Sequence, residues 1–532
     1  MPAGGNAVFF DRISRTSEVG WNVLCAFLGF YRNARMSRPA VSSGCTGSPT
    51  ARQALALGVA LILVGAPGCG GNDSDDELPE GSARYEVTLQ LDARSTTRGG
   101  TLFTLVDENG ATRLAAGLPS TWNTYCANQP NEVHLFVGAA SSPLKWANLA
   151  KPDLRTRTAY AYSREGWLFL ADLGNEWQFK AQLGAPEDRD DYWQVLLQQR
   201  TLSCGPFTAG PWEYHQATTG DLMACADDAP DDECDRIAIH PGTFPYAFAE
   251  AAGRVLVVTN WGDLLLHRPG SGWCRMEAQG AGYACPSEGA ALGPTAPRGF
   301  QFYSSVRYGE HTLLGRWPGG ALHRFDGETV VPHSDSPPLP ADSITAQAEA
   351  QSMAVYCGRL FVGYWPRGDL WVHSAAGGGW QYQGRAFTHP SEPEPAIPYA
   401  DQPMDGVDSS FLGQRITSLV PFGDSLVLTT SNLRGWHTGI GEPEFLSSSQ
   451  VAEYGAVWKL HQPGCATAHF ENSSKVTLQF DVTPQVIRIR QHGVTLVVAA
   501  NPGVLPQEGD RVLVGAGIFG SIAGEVQVQR LR

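Results

Sequence analysis

The sequence predicts an all-β protein, built from a β-propeller of six or seven blades and a small β-sandwich. Three observations predict this class. The 532-residue chain contains 60 glycines and 36 prolines, which indicates many turns and few long helices. Apolar and polar side chains alternate along many short segments, which is the period of a strand. Four of these segments share one pattern, and a four-stranded unit repeated every ~40–50 residues is typical of propeller blades.

The overall composition excludes two classes of protein. Apolar residues make up 42% of the chain and charged residues 17%, so the chain can bury a large core and is not disordered as a whole. It holds 38 basic and 53 acidic side chains, a net charge of −15. Phosphate binding needs the opposite balance, so we expect no nucleic-acid partner.

The first recognisable element is an apolar run of 13 residues, Ala54–Ala66, preceded by Arg38 and Arg52. At a rise of ~1.5 Å per residue, a helix of this length is too short to span a hydrocarbon core of ~30 Å. The run instead matches the apolar core of a secretory signal. Residues 1–35 have no place in such a signal, so we expect translation to begin at Met36.

The apolar run ends in Ala66-Pro67-Gly68-Cys69, which resembles the lipobox of bacterial lipoproteins. The resemblance implies that residues 1–69 are a signal and lipobox region. It also implies that Cys69 is lipidated and anchors an exported protein in the bacterial cell envelope. Residues 70–82 then form a flexible acidic linker. The alternative is a conventional signal cleaved near Gly68, which makes the protein periplasmic or secreted and soluble.

Charge divides the chain at the same place. Residues 1–68 hold six arginines against two acids, whereas the remainder holds 32 basic and 51 acidic side chains, a net charge of −19. The exported part is therefore strongly acidic, which favours solubility and disfavours polyanionic ligands except at a local basic pocket.

The cysteines also agree with export. Eight follow Cys69, and an even number indicates disulfides in an exported chain. Cys225 with Cys234, and Cys274 with Cys285, are close enough in sequence to close local loops, so we expect both disulfides. The pairing of the other four stays open. No C-x2-C spacing occurs, which argues against a zinc site, and we expect no metal.

A repeat defines the propeller, which we place at residues 120–466. Each repeat reads as a turn, a strand, a tight Gly turn and a second strand, with a further strand in front. A multi-domain β-sandwich is the alternative interpretation. Weaker blades fit residues 131–149, 164–183 and 192–202. The repeats begin at Gly253, Gly309, Gly358 and Gly423, spaced by 56, 49 and 65 residues. Their front strands are predicted over 244–252, 299–308, 350–357 and 415–422, and the clearest outer strand over 379–385.

Several stretches of the repeat region carry a family resemblance. They are EAQSMAVYCGRLFVGYW, a long loop containing FTHP, GQRITSLVPFGDSL and EYGAVWKL. Over residues 240–465 the chain resembles uncharacterised bacterial exported β-propeller lipoproteins. The resemblance implies a propeller fold and export, and it implies no known reaction.

The C-terminal segment, residues 467–532, reads as a series of strands with a tight turn at His492-Gly493. It resembles the closing half of a laminin-G or concanavalin-like sandwich, and residues 83–119 resemble opening strands of the same fold. The propeller is then inserted into a split sandwich; the alternative is a small independent C-terminal β-domain. The stretch 515–520 matches G-x-G-x-x-G, but a dinucleotide site needs a following helix, and only a strand pattern follows here.

Propellers bind ligands at one end of the ring of inner strands. There the turn after each second strand meets the start of each inner strand. Aromatic faces stack on sugar rings, and arginine binds carboxylate or sulfate through two hydrogen bonds. The residue types at this end therefore favour a carbohydrate ligand. The candidate ligand-binding residues are Trp261, Arg298, Arg316, Trp317, Gln351, Trp365 and Arg415.

Whether the protein is an enzyme stays open. Glu349 and His389 are the candidates for acid–base catalysis if it is a glycan hydrolase or lyase. Structural roles compete with these functional ones. The repeated tryptophans also fit plugs between blades, and Glu349 with Arg415 also fits a buried pair that ties adjacent blades.

Two further motifs carry little weight. The acidic segment 227–235 offers carboxylates for Ca²⁺, but it lacks the spacing of an EF-hand loop, so a solvated acidic loop is favoured and no cofactor is expected. Arg367-Gly368-Asp369 reads as an RGD formed by chance in a hairpin turn.

Two functions therefore compete. The first is a cell-envelope lipoprotein whose propeller binds, or binds and processes, a carbohydrate. The second is a non-catalytic envelope scaffold that contacts other proteins. The expected partners are thus a glycan or an envelope protein, together with the membrane through the N-terminal lipid. We expect a monomer.

Overall fold

The structure of the chain is a computed structural model. It describes residues 78–90, nine short stretches of strand between residues 96 and 181, most of residues 207–503, and residues 513–517 and 525–530. The gaps within 207–503 are residues 218, 228, 231, 242, 244, 287–297, 309–310, 340–346, 375–378, 392–396, 403–411, 433–442, 455, 471–474 and 502. The predicted signal, Met36, Cys69 and the weak blade at 192–202 lie outside the described residues.

Strands dominate the described part of the chain, which confirms the all-β prediction. One short helix, α1 (Ser448–Glu453), begins at a capping box formed by Ser447 and Gln450. No described helix is long and apolar enough to cross a membrane. The strands in chain order are β1 (Ala83–Gln90), β2 (Thr96–Arg98), β3 (Leu102–Val106), β4 (Thr112–Ala116), β5 (Ala127–Gln129), β6 (Asn131–Phe136), β7 (Lys145–Asn148), β8 (Ala159–Arg164), β9 (Trp167–Asp172), β10 (Trp177–Ala181), β11 (Phe207–Ala209), β12 (Trp212–Gln216), β13 (Leu222–Ala226), β14 (Asp235–Ile237), β15 (Pro245–Ala251), β16 (Arg254–Thr259), β17 (Leu264–Arg268), β18 (Gly272–Arg275), β19 (Glu277–Gln279), β20 (Gly282–Ala284), β21 (Gln301–Tyr308), β22 (His311–Trp317), β23 (Leu322–Phe325), β24 (Thr329–Pro332), β25 (Glu349–Tyr356), β26 (Arg359–Trp365), β27 (Asp369–Ser374), β28 (Gly379–Arg385), β29 (Arg415–Phe422), β30 (Ser425–Ser431), β31 (Val457–His461), β32 (Cys465–Phe470), β33 (Lys475–Val482), β34 (Val486–Gln491), β35 (Val494–Ala500), β36 (Leu513–Gly517) and β37 (Glu525–Arg530).

Five four-stranded antiparallel units follow one another, as in a β-propeller. We call them blade A (β11–β14), blade B (β15–β18), blade C (β21–β24), blade D (β25–β28) and blade E (β29–β31 with β7). The hairpin β19–β20 extends the outer edge of blade C. The inner strands β15, β21, β25 and β29 each lie beside the next one, and all four agree with the predicted front strands to within two residues.

Blade E is closed by a strand from a distant part of the chain. Its outer strand is β7, which pairs antiparallel with β31 although more than 300 residues separate them. Strands β8, β9 and β10 form a further sheet of three strands at the position predicted for a weak blade over 164–183. The short strands β2 and β3 lie beside inner strands, β2 against β11 and β15, and β3 against β29.

Two further sheets draw on both ends of the described chain. Strand β1 sits between β33 and β37 in the five-stranded sheet β35-β34-β33-β1-β37. A second sheet has the order β32-β6-β36. Alternate side chains of β1, β33 and β34 are buried together with Ala466 and Ala468 of β32 in one apolar cluster. Strands from before and after the propeller therefore build one core.

Two strand assignments made from the sequence are wrong. Residues 131–149 do not form a blade of their own, because β6 pairs with β32 and β36 while β7 completes blade E. Within the stretch predicted as opening strands of the sandwich, only β1 joins the five-stranded sheet; β3 pairs with β4, and β2 pairs with β5. Alternation along a strand identifies its buried face but does not identify its neighbour in a sheet.

Three disulfides join described residues. Cys225–Cys234 and Cys274–Cys285 close the two local loops expected from the sequence. The third, Cys357–Cys465, joins residues 108 apart in sequence, from the β25–β26 turn to the start of β32. Disulfides persist in oxidising compartments, so the chain has the chemistry of an exported protein.

Candidate functional site

The inner strands of blades B to E share a local irregularity near their first residues. Each shows a register shift at the same place, so that one extra residue lies opposite the second strand. A β-bulge of this kind redirects a side chain. The extra residues are Tyr246, Tyr303, Gln351 and Thr417, all buried. The four blades therefore present a row of polar side chains near one end of the inner strands.

A network of hydrogen bonds crosses these blades beside the bulges. Arg415 of blade E donates from Nη2 to Oε2 of Glu349 in blade D at 2.8 Å, and its guanidinium lies 5.9 Å from the ring centre of Tyr303 in blade C. Tyr303 donates to Oε1 of Gln301 at 2.5 Å, and Gln301 donates from Nε2 to the carbonyl of Asn260 in blade B. We call these five residues the polar belt.

The charged pair of the polar belt is sealed from solvent. Glu349 is 3% exposed and Arg415 is 4% exposed. Burial raises the pKa of Glu349, while Arg415 and hydrogen bonding with Tyr303 act in the opposite direction. A carboxylate that is buried and bonded to an arginine holds its position and is poorly placed to exchange a proton with a substrate. The geometry therefore favours a tie between blades over a catalytic role for Glu349.

The three candidate tryptophans do not occupy equivalent positions. Trp365 and Trp317 are each the last residue of a second strand and lie opposite Glu349 and Gln301, respectively. Trp365 is 4% exposed, whereas Trp317 is half-buried. Trp261 follows its strand, in the turn, and is also half-buried. Of the three, Trp261 and Trp317 keep surface for a ligand, while Trp365 has the burial of a structural residue.

The two predicted arginines next to blade C, Arg298 and Arg316, lie beside different aromatic residues. The backbone N–H of Arg298 donates to the carbonyl of Trp261 at 3.1 Å, which fixes the two residues side by side. Phe300 follows two residues later, and the guanidinium of Arg316 lies 5.2 Å from the centre of its ring. The ring of His240 stacks on Trp261 with centres 4.0 Å apart. We call these five residues the Phe300 cluster.

The Phe300 cluster has a neutral histidine at its edge. Nε2 of His323 lies 3.5 Å from Nη1 of Arg316. Burial, together with the positive charge of Arg316, lowers the pKa of His323 to about 4. The imidazole is therefore uncharged at neutral pH, and its ring packs edge-on against Phe302.

His389, the second catalytic candidate, is a core residue with partners on both ring nitrogens. Nδ1 lies 2.8 Å from the hydroxyl of Tyr399, and Nε2 lies 3.0 Å from the carbonyl of Gln450. The ring also packs against Phe387 and Tyr454. Burial lowers the pKa of His389, against the effect of nearby Glu453. Both nitrogens are occupied by structural contacts, so the geometry does not support a catalytic role.

The acidic segment considered for Ca²⁺ has a structural use for one of its carboxylates. Asp235 Oδ2 lies 2.9 Å from Nε2 of His267, whose Nδ1 lies 2.9 Å from the hydroxyl of Tyr214. Trp273 donates from Nε1 to the carbonyl of Asp235. These contacts join blades A and B. Among the described residues, no group of three or more His, Cys, Asp or Glu side chains could hold a metal ion.

Several residues of the polar belt and the Phe300 cluster were not predicted from the sequence. Gln301 and Tyr303 stand where blade D has Glu349 and Gln351, and His240 precedes its blade by five residues. The spacing of Ser304 to Gly315 repeats in blade D, from Ser352 to Gly363. Aligning the blades on that pair would have placed Gln301 and Tyr303 in the polar belt. No sequence signal pointed to His240 or His323.

No protein-family model and no curated protein matches the chain. Solved structures share only a distant likeness. The extracellular domain of the putative hybrid two-component system BT4673 from B. thetaiotaomicron is 12% identical, with a TM-score of 0.27 over 66% of this chain and 41% of that one. The Cps50 (Swd1) β-propeller domain of Myceliophteria thermophila is 10% identical, with a TM-score of 0.27 over 70% and 99%. The C-terminal domain of Pseudomonas aeruginosa PilY1 is 12% identical, with a TM-score of 0.24 over 66% and 93%.

The chain spans about two fifths to one half of the length of the two B. thetaiotaomicron structures that it matches. At these TM-scores, the likenesses carry no functional assignment.

Proposed function

We propose that the protein is an exported binding protein that holds a carbohydrate against the half-buried aromatic residues of blades B and C. The observation that carries the proposal is the set of partly exposed rings, Trp261, His240 and Trp317, beside polar side chains. Aromatic faces stack on the apolar faces of sugar rings, while polar groups fix the orientation.

Binding without hydrolysis or elimination is the version that the contacts favour. Glu349 is held by Arg415, and His389 has partners on both nitrogens. An acid–base catalyst needs a titratable group that can exchange a proton with the substrate. The titratable groups of Glu349 and His389 are instead bonded to other residues of the protein. We therefore propose a binding role and not a glycan hydrolase or lyase.

A glycan array tests the proposal with the full exported chain. Wild type should bind a subset of glycans, and Trp261→Ala should weaken that binding about tenfold, since one stacked ring contributes about 1 kcal/mol or more. Trp380→Ala is the matched control, because Trp380 is a half-buried tryptophan on the outer strand of blade D. Equal binding by wild type and Trp261→Ala, or no binding to any glycan, overturns the proposal.

We also propose that the chain is anchored through a lipid on Cys69. The motif Ala66-Pro67-Gly68-Cys69 after the apolar run supports this. Mass spectrometry of the N-terminal peptide from the natural host should find a diacylglyceryl cysteine at this position. An unmodified N-terminus at another residue rejects lipid anchoring and leaves export untouched.

A second function, contact with another envelope protein, is supported by a different part of the molecule. Val494 and Val498 on the edge strand β35 are 64% and 53% exposed. An apolar edge strand offers unpaired backbone groups and side chains to a partner. Cross-linking in intact cells, comparing wild type with Val498→Lys, tests this scaffold function. A cross-linked partner that is lost in the variant favours the scaffold over the glycan-binding protein.

A further inference from the structure

We propose that the carbohydrate is an acidic one, and that Arg298 and Arg316 bind its carboxylate or sulfate group beside Phe300. The inference rests on the proposed function, since it names the class of glycan that the same face accepts. Its basis is the electrostatic state of the two arginines, which lack the carboxylate partners that Arg254, Arg268 and Arg275 have.

Several other arginines of blades B and C are paired with acids. Arg254 and Arg268 both reach Glu328, and Arg275 lies 3.6 Å from Asp263. In contrast, neither Arg298 nor Arg316 has a carboxylate within 4.0 Å among the residues that the structure describes. In a chain with 53 acidic and 38 basic side chains, acids are available for pairing. Arg298 and Arg316 therefore carry positive charges that no described carboxylate offsets at ion-pair distance.

Arg316 is held in place without being neutralised. Its guanidinium lies over the ring of Phe300, and its Nε is buried without a hydrogen-bond partner. Its contact at 3.5 Å is with His323. A guanidinium has five N–H donors, so an uncharged imidazole leaves most of them for another acceptor. Burial of donors without acceptors is costly, and a bound anion removes that cost.

Arg298 is positioned next to the stacking surface. Its backbone is bonded to Trp261, and the adjacent Gly262 approaches closely, because a Cβ built there would lie 2.3 Å from the carbonyl oxygen of Phe300. A sugar stacked on Trp261 therefore brings its substituents to Arg298. A carboxylate or sulfate fits this arrangement because it accepts two parallel hydrogen bonds from one guanidinium.

The pH behaviour of the cluster agrees with an anionic ligand. The groups facing Arg316 are Phe300 and His323, and the low pKa of His323 keeps it uncharged above about pH 4. A uronic-acid carboxylate has the pKa of an ordinary carboxyl group and is ionised over the same range. The charge of the site and that of the ligand therefore stay opposite from mildly acidic to neutral pH.

The experiment uses matched ligands that differ only in charge. An array presents neutral glycans beside their uronic, sialylated and sulfated counterparts, and calorimetry then measures the best-bound acidic oligosaccharide and its carboxyl-reduced or desulfated form. We expect the acidic form to bind at least about tenfold more tightly. Arg298→Gln and Arg316→Gln should each reduce that preference about tenfold, and added salt should weaken binding of the acidic form only.

Arg324→Gln is the control, because Arg324 is an exposed arginine on the third strand of the same blade. Thermal melts of each variant show whether the fold is intact, and Arg316→Lys keeps the charge if Arg316→Gln does not fold. Equal affinity for acidic and neutral forms, or a preference that survives both glutamine substitutions, overturns the inference and leaves carbohydrate binding standing. Absence of binding to every glycan overturns both.

Discussion

At the scale of single residues, the buried pair of Glu349 and Arg415 could serve either as a structural tie between blades or as part of a ligand site. The pair joins blades D and E at 2.8 Å and is almost fully buried. Removing one member of such a pair leaves the other charge buried and unpaired, which costs far more than losing a surface ion pair. Its structural role therefore has a large, measurable signature in stability.

We predict that Arg415→Ala lowers the free energy of unfolding by about 3–5 kcal/mol, measured by urea denaturation. Lys459→Ala is the control, since Lys459 and Asp424 form a partly exposed pair at 2.9 Å that should contribute less than about 1 kcal/mol. A small loss for Arg415→Ala, combined with lost glycan binding, contradicts the structural role and returns Arg415 to the ligand site.

A second prediction at this scale concerns pH. The pKa of His323 in the folded state is lowered to about 4, below the unfolded value of about 6.5. Between these values the unfolded chain binds a proton that the folded chain does not. Above about pH 6.5 the ionisation of His323 therefore does not reduce the free energy of unfolding. As the pH drops to about 4, it lowers that free energy by about 3 kcal/mol.

Urea midpoints at pH 7.5 and 4.5 test this. We expect His323→Gln to show a smaller fall in stability between the two pH values than wild type, because glutamine binds no proton in either state. His492→Asn, in an exposed turn with positive φ, is the control and should keep the wild-type fall. Parallel pH profiles for wild type and His323→Gln contradict the prediction.

Sequence reasoning reached part of this network. Glu349 and Arg415 start adjacent inner strands, so their proximity followed from the repeat alone. The participation of Tyr303 and Gln301 was not predicted from the sequence. A β-bulge changes the direction of side chains at this point of the strand, and alternation of apolar and polar residues does not reveal a bulge. His389 looked catalytic by residue type, but its partners Tyr399 and Gln450 come from loop and helix positions that no strand pattern predicts.

At the scale of the elements, adjacent blades are held by a serine opposite a glycine. Ser304 donates to the carbonyl of Ala350 at 3.0 Å, and Ser352 donates to the carbonyl of Ile416 at 2.7 Å. Each serine pairs across the sheet with a glycine of the second strand, whose missing side chain admits the next inner strand. Close packing of this kind leaves no room for a methyl group.

Gly363→Ala should therefore destabilise the protein. The added Cβ would lie 2.7 Å from Cβ of Ile416 and 2.7 Å from Oγ of Ser352, and overpacking of this type costs about 1–3 kcal/mol. Gly379→Ala is the control, since nothing lies within 4 Å of its Cβ and only its positive φ opposes alanine, at about 1 kcal/mol. A smaller loss for Gly363→Ala than for Gly379→Ala, in denaturant unfolding, contradicts this account of the blade contact.

The strands themselves were the part of the fold best predicted from sequence. The inner strands agree to within two residues, and the outer strand of blade D agrees at both ends, because alternation and flanking glycines mark strand limits. The sequence did not predict correctly which strands pair with the isolated strands. Strands β6 and β7 are short and lie far from their partners in sequence, so only the folded chain shows that they belong to different sheets.

At the scale of the whole molecule, strands from distant parts of the described chain share the same sheets. Blade E takes its outer strand from β7, and the five-stranded sheet takes its central strand from β1. Contacts near the β25–β26 turn also tie blade D to the β29–β30 turn of blade E and to the segment that follows β31. The hydroxyl of Tyr356 donates to the carbonyl of Asp424 at 2.8 Å, and Arg359 donates to Gln462. Because its outer strand is β7, blade E cannot separate from the earlier part of the chain without breaking its own sheet.

The disulfide Cys357–Cys465 adds a covalent tie at the same place. It closes a loop of 108 residues, and chain entropy predicts a loss of about 4–5 kcal/mol in the free energy of unfolding when such a long loop is opened. Cys225–Cys234, with a separation of 9, should contribute about 3 kcal/mol on the same basis. The double substitution Cys357→Ser/Cys465→Ser should therefore destabilise more than Cys225→Ser/Cys234→Ser. Urea unfolding of both variants under oxidising conditions measures the difference. If the Cys357/Cys465 variant loses no more stability than the Cys225/Cys234 variant, the long-range disulfide does not restrict the unfolded chain as its loop length predicts.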